Sequence, residues 1–100
     1  MSALPRGYRL VPAEALRARI GGAARLCREL GLAGLLATHA TDVYYLSGTM
    51  QQGAVFVSPE GRARVFMRRH LERAREECPL EVEPAAGYGD IAGEIAGQVG

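Results

Sequence analysis

The sequence predicts an α/β fold, a three-layer α-β-α arrangement around a mixed central sheet, and three observations predict it. An amphipathic helical stretch runs at once into a short apolar segment; two β-type runs are joined by a turn; helix-type and strand-type segments then alternate to the end of the chain. The order read along the chain is helix, strand, helical turn, two strands, helix, strand, helix.

From Glu14 to Leu30, the apolar positions Leu16, Ile20, Ala23, Cys27 and Leu30 recur at the spacing of one helix face. Pro12 stands where such a helix can begin, and Gly31 is placed to end it in a left-handed cap. Gly21-Gly22 costs roughly 1 kcal/mol per residue relative to alanine, and marks either a close backbone approach or a weak point. Leu32 to Thr38 is almost uninterrupted in apolar character, which predicts a strand buried on both faces. His39 to Asp42 reads as a loop, with Asp42 capping a helical turn over Val43 to Leu46 that Ser47-Gly48 stops.

Ala54–Val57 and Ala63–Met67 are β-type runs, and Ser58-Pro59-Glu60-Gly61 between them fits a type I turn, hence a hairpin. Arg69 to Cys78 predicts a short charged helix stopped by Pro79. Leu80, Val82 and Pro84 alternate with Glu81 and Glu83, as in a half-exposed edge strand. Gly87-Tyr88-Gly89 reads as a loop, with Asp90 capping a last helix over Ile91, Ile95 and Val99. A helix in that place leads back to another strand in an α/β layout, so residues 13–100 are expected to be one domain cut short at its carboxy end. Residues 1–12 are expected to be an amino-terminal extension.

One hundred residues allow a single modest core. A hydrophobic fraction of 48% with 23% charged residues is that of an ordinary globular domain. The net charge of +1 gives no electrostatic reason to expect nucleic acid or an anionic membrane as partner. All 12 basic residues are arginine, which reads as genomic base bias. Cys27 and Cys78 belong to no CxxC and read as buried free thiols. With no signal-peptide core near Met1 and no stretch approaching a membrane span, the expected compartment is the cytoplasm.

The chain holds no HExxH, no His/Cys/Asp/Glu cluster at ligand spacing, no P-loop and no strand-preceded GxGxxG. Of the three serines, Ser2 is terminal and Ser58 belongs to a turn. Ser47 is the one left to weigh as a nucleophile, but it has no GxSxG around it and no histidine nearby in sequence. His39 and His70 are the only imidazoles, each at an element boundary where loop bonding is commoner than base chemistry. Glu76 and Glu77 point about 100° apart on a helix and do not form a carboxylate pair. Arg68, Arg69, His70, Arg73 and Arg75 are interleaved with Glu72, Glu76 and Glu77 at intrahelical pairing distances, which predicts a solvated face. The segment Tyr44-Tyr45-Leu46-Ser47-Gly48 is explained as an aromatic anchor under the sheet. The polar, uncharged loop after it, Thr49 to Gly53, could face a ligand or a neighbouring subunit. The candidate facing residues are Tyr45, Ser47, Gly48, Thr49, Gln51 and Gln52.

The ordered set of features resembles the amino-terminal domain of creatinases, prolidases and aminopeptidase P proteins, from about Leu16 to Ile95. It comprises the helix ending in Gly-Leu-Ala-Gly-Leu-Leu-Ala-Thr, then Asp42-Val-Tyr-Tyr-Leu-Ser-Gly48, the hairpin, the Leu71-Glu-Arg-Ala-Arg-Glu-Glu77 helix and Gly87-Tyr-Gly-Asp-Ile91. Its most specific part, Tyr44 to Gly48, is similar to the family's N-x-x-Y-L-S/T-G-F signature, with Asp42 in place of asparagine and Thr49 in place of the aromatic. The resemblance implies a non-catalytic domain that forms a homodimer and leans over the partner subunit's active site. It also implies a separate pita-bread catalytic domain, absent here, in which two Asp, one His and two Glu hold two divalent metal ions. No cofactor, metal ligand or catalytic residue is therefore assigned to this chain. In creatinases the loop before the second strand carries aromatic and arginine residues toward substrate; Thr49 to Gly53 offers none, which argues against creatine. The alternative is a stand-alone peptide- or protein-binding module that kept the fold without the chemistry.

Overall fold

The computed structural model describes residues 11–99. The amino-terminal extension expected over residues 1–12 lies, up to residue 10, outside the described residues. The elements are α1 (Ala13–Leu30), β1 (Leu35–Ala37), α2 (Ala40–Ser47), β2 (Gly53–Val57), β3 (Ala63–Met67), α3 (Leu71–Glu77), β4 (Val82–Pro84) and α4 (Tyr88–Val99). They follow the expected order, and the sheet is mixed: β1-β2-β3-β4, antiparallel except for the parallel pair β3/β4.

Alternation along the hairpin builds the three layers. Val55, Val57, Val65 and Met67 turn to one face, where Ile20 and Ala24 of α1, Val43 and Leu46 of α2, and Ala74 of α3 meet them. Ala54, Phe56 and Phe66 turn to the other face, where Ile91 of α4 packs. Because neighbouring residues of a strand serve opposite layers, both hairpin strands are apolar almost throughout. Burying a single Phe or Ile side chain contributes about 1.5–3 kcal/mol, so Phe66 and Ile91, both fully buried, hold α4 in place.

Helix α1 starts after Pro12, in the extended conformation that precedes a first turn, and ends in a Schellman motif at Gly31. Gly31 has φ +68°, and the amides of Gly31 and Leu32 donate to the carbonyls of Arg28 and Cys27. The buried stripe of α1 is Leu16, Ile20, Ala24 and Cys27. It takes Ala24 where strict 4-3 spacing chose Ala23, and it leaves Leu30 62% exposed. Neither Gly21 nor Gly22 meets a neighbouring atom within 4 Å of a built Cβ, so the close approach they could have marked does not exist.

Strand β1 corrects the expectation of a doubly buried strand. It is three residues long, lies at the sheet edge and leaves Leu36 46% exposed, since α4 covers Phe56 and Phe66 but not their neighbour on β1. Asp42 does not cap α2. The cap is His39, whose Nδ1 accepts from the amide of Thr41 at 3.4 Å, and Asp42 falls in the first turn. Similarly α4 begins at Tyr88, inside the expected loop, and Asp90 sits in its first turn. The hairpin turn is as read, with the Gly61 amide donating to the Ser58 carbonyl at 3.0 Å. Strand β4 is the other edge, which tolerates Pro84 because no further strand asks for its missing N–H.

Candidate functional site

At one end of the sheet the chain leaves β1, β3 and β4 and enters β2, so four connections meet there. Residues 48–52 between α2 and β2 form the candidate loop. Gly48, at φ +80°, turns the chain out of α2 in a conformation that side chains rarely adopt. Gly53 enters β2 so close to β3 that a Cβ would fall 2.0 Å from the Phe66 carbonyl oxygen.

The residues between are held from inside. Ser47 is fully buried; its hydroxyl donates to the Val43 carbonyl and accepts from the Thr49 amide at 3.2 Å. Thr49 is also fully buried, and its hydroxyl donates to Glu77 Oε1 at 2.6 Å while accepting from the Gln51 amide at 3.2 Å. The same Glu77 oxygen accepts from the Met50 amide at 3.2 Å and from Gln51 Nε2 at 3.4 Å. Glu77 is only 3% exposed, and the ion pairs found among the described residues both belong to Arg64, so its counterparts are neutral donors. A buried carboxylate spent on three donors of one loop fixes that loop's shape.

Of the six candidate facing residues, Tyr45 and Gln52 are exposed and Gln51 is half-buried. Ser47, Gly48 and Thr49 are buried, and the hydroxyls of Ser47 and Thr49 bond within the domain. Met50, at 64% exposure, is the residue the loop presents. Burial and committed hydrogen bonds also remove Ser47 as a nucleophile. Tyr45 is no anchor under the sheet: it lies outside with Arg19 stacked 4.6 Å from its ring centre, and Val43 and Leu46 make the inward contact. His39 is exposed and spent as a cap; His70 is exposed, at φ +54°, with no capping bond.

Glu77 is the residue that sequence reasoning missed. Weighing Glu76 and Glu77 as a pair hid their difference: one faces water, the other follows Ala74 by three residues on the buried stripe of α3. A lone carboxylate on an apolar stripe was the available signal. Arg69, Glu72, Arg73, Arg75 and Glu76 form the expected solvated face, but the ion pairs of the described residues do not include them; Glu77 turns inward and Arg68 stacks on Tyr88. At the opposite end of the sheet Arg64 binds Glu83 through Nε and Nη2 at 2.9 and 2.6 Å and reaches Glu94 of α4. The hydrogen bonds that Arg64 donates hold the Glu83 carboxyl below the usual carboxylate range, and their acceptance by Glu83 raises the pKa of Arg64 in turn. Burial pushes the Cys78 thiol up, and Cys78 and Cys27 are both buried and free.

Among the described residues no three His, Cys, Asp or Glu side chains gather to hold a metal ion, and no helix is long and apolar enough to cross a membrane. The residues present do not fit the pair of divalent ions that the resemblance implies.

The chain is a three-layer α/β domain with one loop anchored from below at the end of its sheet. The chain belongs to the creatinase/prolidase N-terminal domain family, whose model matches residues 19–100. Among solved structures it is similar to the N-terminal creatinase/prolidase-like domain of a candidate metallopeptidase from Corynebacterium diphtheriae. That match has 24% identity and a TM-score of 0.60, over 70% of this chain and 57% of that one. It is also similar to a proline dipeptidase from Streptococcus agalactiae 2603V, at 19% identity and a TM-score of 0.55, over 73% of this chain and 58% of that one. The chain therefore spans less than two thirds of either solved chain, and at these identities the likeness is one of fold. No curated protein matches it.

Proposed function

We propose that this chain is the non-catalytic amino-terminal domain of a metal-dependent Xaa-Pro peptidase of the cytoplasm, and that it serves dimerisation and shapes the entrance to the partner subunit's active site. The observation that carries the reading is the loop that Glu77 anchors through Thr49, Met50 and Gln51 at the sheet's end, with the Gln52 carbonyl accepting from the Arg68 amide. A rigid projecting loop costs little further entropy when it contacts a neighbouring subunit or substrate. Family membership and the metallopeptidase and proline dipeptidase structures that share the fold support the same reading. The two divalent ions belong, in this proposal, to a catalytic domain, where a bridging pair would lower the pKa of bound water.

The test uses a longer protein in which this domain is joined to a metallopeptidase catalytic domain. Met50→Ala and Gln52→Ala are expected to raise KM for an Xaa-Pro dipeptide with kcat little changed, and sedimentation is expected to show a dimer. A monomer with unchanged KM would refute the proposal. A second reading, the stand-alone peptide-binding module, has one observation in its favour: the groove of about 490 Å³ between α1, α2 and the open edge of β1. An extended peptide could add there as a further strand, and peptide binding by the chain without dimerisation would favour it.

A further inference from the structure

We infer that the carboxyl ends of the parallel strands β3 and β4 form a binding site for a small oxyanion, with Arg68 as its main donor and Arg69 and His70 beside it. The two strands end side by side, Met67 opposite Pro84, and the chain turns away from each in a different direction. Open α/β sheets bind ligands outside the carboxyl ends of such strands, where the diverging connections leave a crevice. Here the crevice has a volume of about 420 Å³, and its lining includes Arg68, Arg69, His70, Pro84, Ala85 and Ala86. It contains three basic side chains and no carboxylate.

Arg68 is held ready for a ligand. Its guanidinium lies 4.9 Å from the ring centre of Tyr88, a stack that orients its plane. Its Nε is buried and meets no acceptor, the one buried side-chain nitrogen or oxygen among the described residues in that position. Buried donors are nearly always satisfied, so an unpaired one beside a crevice calls for an acceptor. The ion pairs of the described residues engage neither Arg68 nor Arg69. His70, immediately after them, is the single non-glycine residue described at positive φ. Such strain is retained where surrounding structure enforces it, and binding sites are where it collects.

A planar guanidinium fork recognises a carboxylate or a phosphate, and both are oxyanions of the right size for the crevice. The site also touches the candidate loop: the Arg68 amide donates to the Gln52 carbonyl at 3.1 Å, and the Tyr88 hydroxyl to that of Gly53 at 3.5 Å. An occupant would therefore be sensed at Gln52. This inference stands on the crevice alone and holds under either reading of the function.

The experiment is an NMR titration of the 100-residue chain with sodium acetate and, separately, inorganic phosphate, at constant ionic strength balanced by chloride. The expected result is a saturable shift of the Arg68 Nε–H and of the Arg69, His70 and Gln52 amides. Arg68→Lys keeps the charge but loses the fork and the stack, and weakens binding about tenfold or more. Arg69→Ala, at an exposed position, weakens it about threefold without touching the core. Tighter acetate binding makes the ligand a carboxylate, and tighter phosphate binding makes it a phosphate group. Linear, unsaturated shifts for both anions to roughly 50 mM would overturn the inference, since that is weaker than any useful site. So would saturation that neither variant changes. Should Arg68→Lys fail to fold, the response of Arg69→Ala decides.

Discussion

Removing the carboxylate of Glu77 tests whether one buried side chain fixes the loop. Glu77 Oε1 receives the Thr49 hydroxyl, the Met50 amide and the Gln51 side-chain amide. In Glu77→Ala the half-buried Gln51 amide can turn to water, but the Thr49 hydroxyl is fully buried and cannot. Leaving a buried donor unsatisfied costs about 1–3 kcal/mol, and Thr49 and Met50 together bring roughly 2–5 kcal/mol on that scale. Part is offset because a carboxylate is no longer kept out of water. The net loss expected is about 2–4 kcal/mol, a large share of the 5–15 kcal/mol by which small domains are stable. Glu77→Gln keeps an acceptor and loses only the charge assistance, so about 1–2 kcal/mol is expected. Glu76→Ala, one residue away and exposed, should stay within about 0.5 kcal/mol. Urea unfolding followed by circular dichroism gives the three numbers, and hydrogen exchange at Met50 and Gln51 reports on the loop. If Glu77→Ala cost no more than Glu76→Ala, with the Met50 amide equally protected, the anchoring role would be refuted.

Two further outcomes follow from the same structure. Gly21→Ala in α1 is expected to stabilise the chain by about 0.5–1 kcal/mol, raising the melting temperature by roughly 4 °C, because the position is exposed and its Cβ meets nothing. A neutral or destabilising result would mean that α1 bends or packs differently at that point. Glu83→Gln should cost about 0.5–1 kcal/mol at pH 7, a modest figure because the Glu83 side chain is 36% exposed. Arg64 depresses the folded-state pKa of Glu83, so the ion pair's stabilisation is present above the unfolded carboxylate value and lost as pH falls through the folded one. The gap between the denaturant midpoints of the two proteins should thus shrink progressively as pH falls below about 4; a gap that does not shrink with falling pH would rule out the ion pair as its source.

The residues 13–99 show where sequence suffices and where it stops. Element order, the hairpin with its turn, the Gly31 cap and the edge position of β4 were all legible, because each rests on local rules: helical spacing, proline and glycine geometry, period-two alternation. Ala24 rather than Ala23, and the exposed Leu36, depended on which surface each element meets across the sheet. The candidate loop was visible as a polar stretch between glycines. Its outward residue, Met50, and its inward ones, Ser47 and Thr49, differ only by what lies behind them. What lies behind is Glu77, 28 positions from Thr49 in the chain, and no local pattern joins the two. Arg68 and Tyr88 meet in the same manner, through the parallel pairing of β3 and β4. The sequence by itself determined the elements and the layers they could form, since propensity and periodicity act over a few residues. Only the tertiary structure decided which polar side chains share a site, since a buried carboxylate or a stacked guanidinium takes its partners from segments that folding brings together.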